Sequence, residues 1–155
     1  VDEQQFSLLF GFNVLMLMLA NFINSRMVSR LGPQRMLRAG LAVALASASA
    51  LTLFNFWQLG LVFTVLSIAP LMASLGLIAT NADAMILMRF PEHSGTATAV
   101  IGTLRFGSGA LAGPLLALAY TGTALPFALL MLGGVVAIGV SQLIGVMQAK
   151  PTADS

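Results

Sequence analysis

Two ionisable residues stand at the edges of long stretches that hold no other charge, Asp83 and Arg105. Asp83 lies six residues before Arg89, which on a helix is about 9 Å from that end. Arg105 lies eight residues after Ala97, about 12 Å in along the next helix. Two antiparallel helices would bring both to a similar depth, within pairing distance. A charge inside a membrane helix costs about 2.5–3.5 kcal/mol on insertion scales, so each needs a partner or water. One reading is a pair on a proton or substrate path. The other is an arginine snorkelling to the interface with Asp83 as structural counter-ion.

Amides form a second group. Asn13, Asn21 and Asn24 recur at offsets that share one helical face, and Asn81 adds an amide beside Asp83. Amides facing lipid would be unsatisfied, so the stripe must face protein or an aqueous cavity. Interhelical hydrogen bonding is the plainer alternative, above all for Asn24. Other chemistry is poorly served. His93 beside Glu92 falls in a loop, whereas Ser108 lies deep in a helix, which argues against a Ser-His enzyme. With no cysteine and a single histidine, thiol chemistry and multi-histidine metal sites are excluded. No acid, base or metal constellation converges, so the chain reads as no enzyme, with no metal and no cofactor.

The elements that must carry these groups follow from the charge map. The 155 residues are 58% hydrophobic and only 8% charged, with mean hydropathy +0.95. Soluble domains carry roughly 25% charged residues. Charges are absent from 4–25, 39–82 and 106–149, runs of 22, 44 and 44 residues. About 20 apolar residues cross a bilayer, so the first run fits one span and each longer run fits two. The fold class is therefore all-α integral membrane with about five transmembrane helices, expected near 5–25, 37–54, 59–88, 97–119 and 126–148. Residues 1–148 form one helical bundle and 149–155 a polar cytoplasmic tail. The opening Val1–Gln5 lacks the basic region of a signal peptide and reads as an internal start in a longer protein.

Arg26, Arg30, Arg35 and Arg38 all fall between the first two spans, where Gly32-Pro33 signals a turn, and Arg89 falls between the third and fourth. The positive-inside rule puts those connections and the Lys150 tail in the cytoplasm, and the N-terminus of the chain outside. Nucleic-acid binding would need a broad basic face, which is missing. Gly40, Ala44, Ala48 and Thr52 on the second helix, and Gly133, Ala137, Ser141 and Gly145 on the fifth, form small-residue stripes suited to close helix packing. Pro70 and Pro114 interrupt the third and fourth helices, and Gly109 and Gly113 flank Pro114; each proline removes a backbone hydrogen bond and permits a kink.

The segments NSRMVSRLGPQRMLRAG (24–40) and ATNADAMILMRFPEHSGTATAVIGTLRFGSGALAGPLL (79–116) carry a resemblance. With Asn24-Ser25-Arg26, Arg30-Leu31-Gly32, Asn81-Ala82, Phe90-Pro91, Gly95-Thr96-Ala97 and Arg105-Phe106-Gly107 in order, the chain resembles the C-terminal half of Bcr/CflA-type multidrug transporters. These are drug:proton antiporters of the major facilitator superfamily. The resemblance implies that the five helices are the eighth to twelfth of a twelve-helix carrier, with the N-terminal half and seventh helix lying outside this chain. It implies a bacterial inner-membrane carrier for small amphipathic drugs, powered by the proton gradient and working by alternating access. Arg26, Arg30 and Gly32 match the superfamily's loop motif, G-x-x-x-D-R-x-G-R-R, with Ser25 and Ser29 replacing its glycine and aspartate. Gly109, Gly113 and Pro114 look like the repeat counterpart of the antiporter motif G-x-x-x-G-P. Asp83 departs from the small or apolar residue expected there. The implied substrate and proton pathway comprises Arg105, Asp83, Asn81, Asn13 and Asn21. The competing readings are a metabolite carrier of the same superfamily and a non-transporting scaffold or truncated relic.

Overall fold

The computed structural model describes residues 3–119 and 121–148. Val1, Asp2, Tyr120 and the expected tail 149–155 lie outside the described residues. Five helices follow one another: α1 Glu3–Leu31, α2 Pro33–Phe56, α3 Leu61–Arg89, α4 Ser94–Leu118 and α5 Leu125–Gln148, with a 3-10 turn Pro91–His93 before α4. All five are long and apolar enough to cross a membrane. Among the described residues there is no strand.

The helix ends differ from expectation most at the first turn. α1 does not stop near Ser25 but runs on to Leu31, and α2 begins at Pro33 rather than near Leu37. The expected arginine loop is thus a single hinge residue, Gly32, at φ 79°, where an L side chain would be strained. Pro33 follows in the first turn of α2, where its missing N–H is no loss. The cause is length: at 1.5 Å per residue α1 spans about 43 Å, whereas the hydrocarbon core is about 30 Å thick. Arg26 and Arg30 therefore ride on the end of α1, and Arg35 and Arg38 on the start of α2. Both α3 and α4 run unbroken through Pro70 and Pro114.

α3 is the central helix. Its most extensive neighbour is α2, with α1 on another face, while α5 packs on α2. The core joins Leu37, Ala44, Ala48 and Leu51 of α2 to Leu71 and Ile78 of α3, and to Ala128 and Val135 of α5. The small-residue stripe of α2 does pack there. A Cβ on Gly40 would lie 3.2 Å from Ile78 Cγ1 and 3.3 Å from both Leu77 Cβ and the Ser74 carbonyl oxygen. Thr52 Oγ1 donates to the carbonyl of Ala48 at 2.9 Å and reaches that of Ala128 on α5 at 3.4 Å. The corresponding stripe of α5 does not pack: Gly133, Ala137, Ser141 and Gly145 are all exposed, and Ala128 and Val135 face α2 instead. At the turn between α2 and α3, Phe54 meets Phe63 edge to face at 5.5 Å and Thr64 Oγ1 donates to Asn55 Oδ1 at 3.4 Å.

α4 stands apart. It touches α3 and α5 only lightly and has no buried residue. Apolar side chains such as Phe106 (80% exposed) and Leu118 (87%) point away from the bundle.

Candidate functional site in the α1–α3–α4 groove

Asp83 and Arg105 meet. Arg105 Nη2 donates to both carboxylate oxygens of Asp83, at 2.8 and 2.9 Å. Arg105 sits eleven residues into α4 and Asp83 six from the end of α3, a depth difference of about 7 Å. The length of the arginine closes it, because helical side chains lean toward their own N-terminus and that of α4 lies level with the end of α3. This is the only salt bridge among the described residues, with side-chain exposures of 52% for Arg105 and 31% for Asp83. Only one nitrogen is engaged. The two-nitrogen fork is not formed, so Nε and Nη1 remain available to a further acceptor.

Two amide contacts join α1 to α3 in parallel register. Asn81 Nδ2 donates to Asn24 Oδ1 at 2.8 Å and to the Leu77 carbonyl at 2.8 Å. Both partners are buried, Asn81 at 1% exposure and Asn24 at 4%. One turn away, Thr80 Oγ1 donates to Asn21 Oδ1 at 3.1 Å, and Asn21 Nδ2 donates to the Leu17 carbonyl at 3.0 Å. The two helices pass closely at Gly76, where a Cβ would collide with the flexible tip of Leu17, Cδ1, and lie 3.5 Å from Asn21 Nδ2. Asn13 donates to the Leu9 carbonyl at 2.8 Å, while its Oδ1 is buried with no hydrogen-bond partner.

On the surface of α3 the groups fall in sequence around the helix. Asn81 faces α1, exposed Thr80 lies at the edge of that contact, and Asp83 faces α4. Thr80 and Asp83 are spaced by three residues, so they share a strip of α3 that runs from the α1 contact toward α4. This strip is the floor of a groove, with Asn21 on one wall and Arg105 on the other. Asn81 is behind that wall, inside the α1–α3 contact. Thr80 is the groove residue that sequence reasoning missed. Its offset of three from Asp83 was the available signal, but a threonine in an apolar helix usually bonds its own backbone.

The remaining candidates lie elsewhere. Gly109, Gly113 and Pro114 sit on α4, exposed, with no atom within 4 Å of where a Cβ on either glycine would be. His93 is exposed in the 3-10 turn, whereas Ser108 is on α4 donating to the Arg105 carbonyl at 3.0 Å, so the two do not meet. An apolar cavity of about 570 Å³ lies between the end of α4 and the start of α5, lined by Leu115, Leu129 and Thr121. None of the expected polar residues reaches it.

Five apolar spans, with paired charges and amides turned toward one another, make this a multi-pass membrane protein. The chain is 36% identical over 140 residues to a Bicyclomycin resistance protein homolog of Haemophilus influenzae, covering 90% of this chain and 35% of that protein. It is 28% identical over 131 residues to the Uncharacterized MFS-type transporter YdgK of Bacillus subtilis, covering 84% of this chain and 32% of that one. The chain thus spans about a third of the length of the curated relatives it matches. No family model matches it, and no solved structure does. The chain thus resembles a C-terminal portion of a longer carrier of the Bcr/CflA type in the major facilitator superfamily.

Proposed function

We propose that these helices form the C-terminal part of a proton-coupled multidrug efflux carrier of the bacterial inner membrane. The carrier works by alternating access, with the arginine-bearing turn cytoplasmic and the start of this chain outside. The observation that carries the reading is the Asp83–Arg105 pair. It is the only salt bridge among the described residues, and it joins two spans. An ionic pair within membrane-spanning segments is costly to insert and recurs on substrate and ion paths. Arg105 holds Asp83 through one nitrogen alone, and its remaining donors would hold an acceptor on the substrate or a carboxylate across the cavity. Asn21 offers its amide on the α1 side, and Asn13 lies two turns further along the same helix with its Oδ1 buried and unpartnered. Asn81 acts through Asn24 by holding α1 in register.

The glycines of α4 support a larger assembly. Gly95, Gly102, Gly107, Gly109 and Gly113 have no atom within 4 Å of a would-be Cβ. A glycine inside a helix costs about 0.8–1.0 kcal/mol relative to alanine, and in membranes it recurs where another helix comes close. Here that neighbour is the remainder of the carrier, so α4 lies between this bundle and the N-terminal half.

The test is transport by the intact carrier in everted membrane vesicles. Arg105→Ala and Asp83→Asn are expected to abolish drug-driven proton release while the protein still accumulates in the membrane. In the swap Asp83→Arg with Arg105→Asp the ion pair re-forms, but transport stays lost. Intact transport and intact antiport in both single variants, or full recovery in the swap, would make the pair purely structural and defeat the reading.

A further inference from the structure

We propose that the cleft between the α1–α2 turn and the C-terminal end of α3 binds the phosphate of an anionic phospholipid headgroup. The cleft has a volume of about 660 Å³ and is open to the surroundings. Arg35, from the first turn of α2, and Arg89, from the last turn of α3, both line it, with Gln34 beside them. Neither arginine has a carboxylate partner among the described residues, since the single salt bridge is Asp83–Arg105. Met85 and Met88 supply the rest of the α3 wall, and Leu31 closes the α1 side.

The chemistry is therefore divided. Two guanidinium groups offer planar donors suited to phosphate oxygens. Two methionines and a leucine offer apolar surface next to them. A free phosphate ion has no use for the apolar part, whereas a phospholipid places its phosphate beside glycerol and acyl carbons. Position agrees with this occupant: the cleft lies where α1, α2 and α3 end together, at the limit of their apolar spans, which is headgroup level. Arg26, Arg30 and Arg38 at the same end add to the local positive potential. Arg26 is turned aside onto the ring of Phe22, 5.3 Å from its centroid, so these arginines are not equivalent. The proposal rests on the membrane spans and not on the transport reading.

Native mass spectrometry of the intact protein, released from detergent with phosphatidylglycerol or phosphatidylcholine, tests it. Phosphatidylglycerol should be retained by the unaltered protein and phosphatidylcholine should not. In Arg35→Gln/Arg89→Gln the apparent affinity should fall on the order of tenfold or more. The equal-charge control Arg26→Gln/Arg30→Gln, outside the cleft, lowers the local potential without removing a phosphate donor and should lose clearly less than the cleft pair. Arg35→Lys/Arg89→Lys, which keeps both charges, shows whether loss reflects headgroup binding or misfolding; it should retain the lipid in part. Equal losses in both glutamine pairs would mean diffuse charge attraction, and undiminished binding in the cleft variant would mean a different site. Displacement by millimolar inorganic phosphate would make it a soluble-anion site. Each of these three results overturns the proposal.

Discussion

Replacing Asn81 with leucine isolates the contact that sets α1 against α3. Asn81 is 1% exposed and gives its Nδ2 protons to Asn24 Oδ1 and to the Leu77 carbonyl, each at 2.8 Å. Leucine keeps the branched skeleton and heavy-atom count of asparagine but carries bulkier methyl groups, so the loss of hydrogen bonding is joined by some overpacking. Asn24 Oδ1 then stays buried with its donor gone, a penalty of about 1–3 kcal/mol in proteins generally. Interhelical bonds in membranes average about 0.6 kcal/mol and reach about 1.7, because the unfolded state in lipid also finds partners. The near-complete burial of both amides places this one at the upper end, about 1–2 kcal/mol. The reverse change, Asn24→Leu, is milder, since Asn81 keeps its bond to Leu77. The double variant restores a matched apolar contact and should cost less than the sum of the singles, with a coupling energy of about 1 kcal/mol. Equilibrium unfolding in mixed micelles, followed by the fluorescence of the single tryptophan, Trp57, measures all three. Additive costs, or a costlier Asn24→Leu than Asn81→Leu, would refute the reasoning.

Two further predictions concern glycines. Gly40→Ala should destabilise more than Gly76→Ala, by about 1–3 kcal/mol against 1 or less. The new methyl at 40 meets the Ser74 carbonyl and Leu77 Cβ, which cannot yield, whereas at 76 its one tight contact is the tip of Leu17, which can rotate; the same unfolding assay ranks them. Gly32→Ala should cost about 1–3 kcal/mol through its backbone alone, since φ 79° with ψ 154° is a conformation essentially reserved for glycine and nothing lies within 4 Å of a Cβ there. Its stability deficit should therefore appear without any change in the Asn24–Asn81 coupling.

Legibility varied with the kind of interaction. The five spans could be read because lipid acts on each segment by itself: 44 residues without charge must cross twice whatever they pack against. The helix ends were less legible at the first turn, since arginines mark where a span leaves the apolar layer and not where the helix stops. α1 runs six residues past Ser25 for that reason. Facing of the amides also followed from the sequence, because helical spacing aligned Asn21 and Asn24, though not which partner each would take. That Asn81 bonds Asn24 while Thr80 bonds Asn21 depends on the parallel register of α1 and α3, which the close approach at Gly76 permits. The small-residue stripes show the limit most clearly. Two stripes of the same spacing had opposite fates, one buried against α3 and one exposed, because a flat face permits close packing without naming its partner.

By itself, then, the sequence determined that the protein is an all-helical membrane protein with five spans, which groups had to avoid lipid, and that Asp83 and Arg105 lay near enough in depth to pair. Tertiary structure decided that they do pair, through one nitrogen and half exposed, and that Asn81 is sealed behind the groove while Thr80 lines it. Transfer into lipid is a property of each segment, whereas partner choice depends on the rotation and register of packed helices.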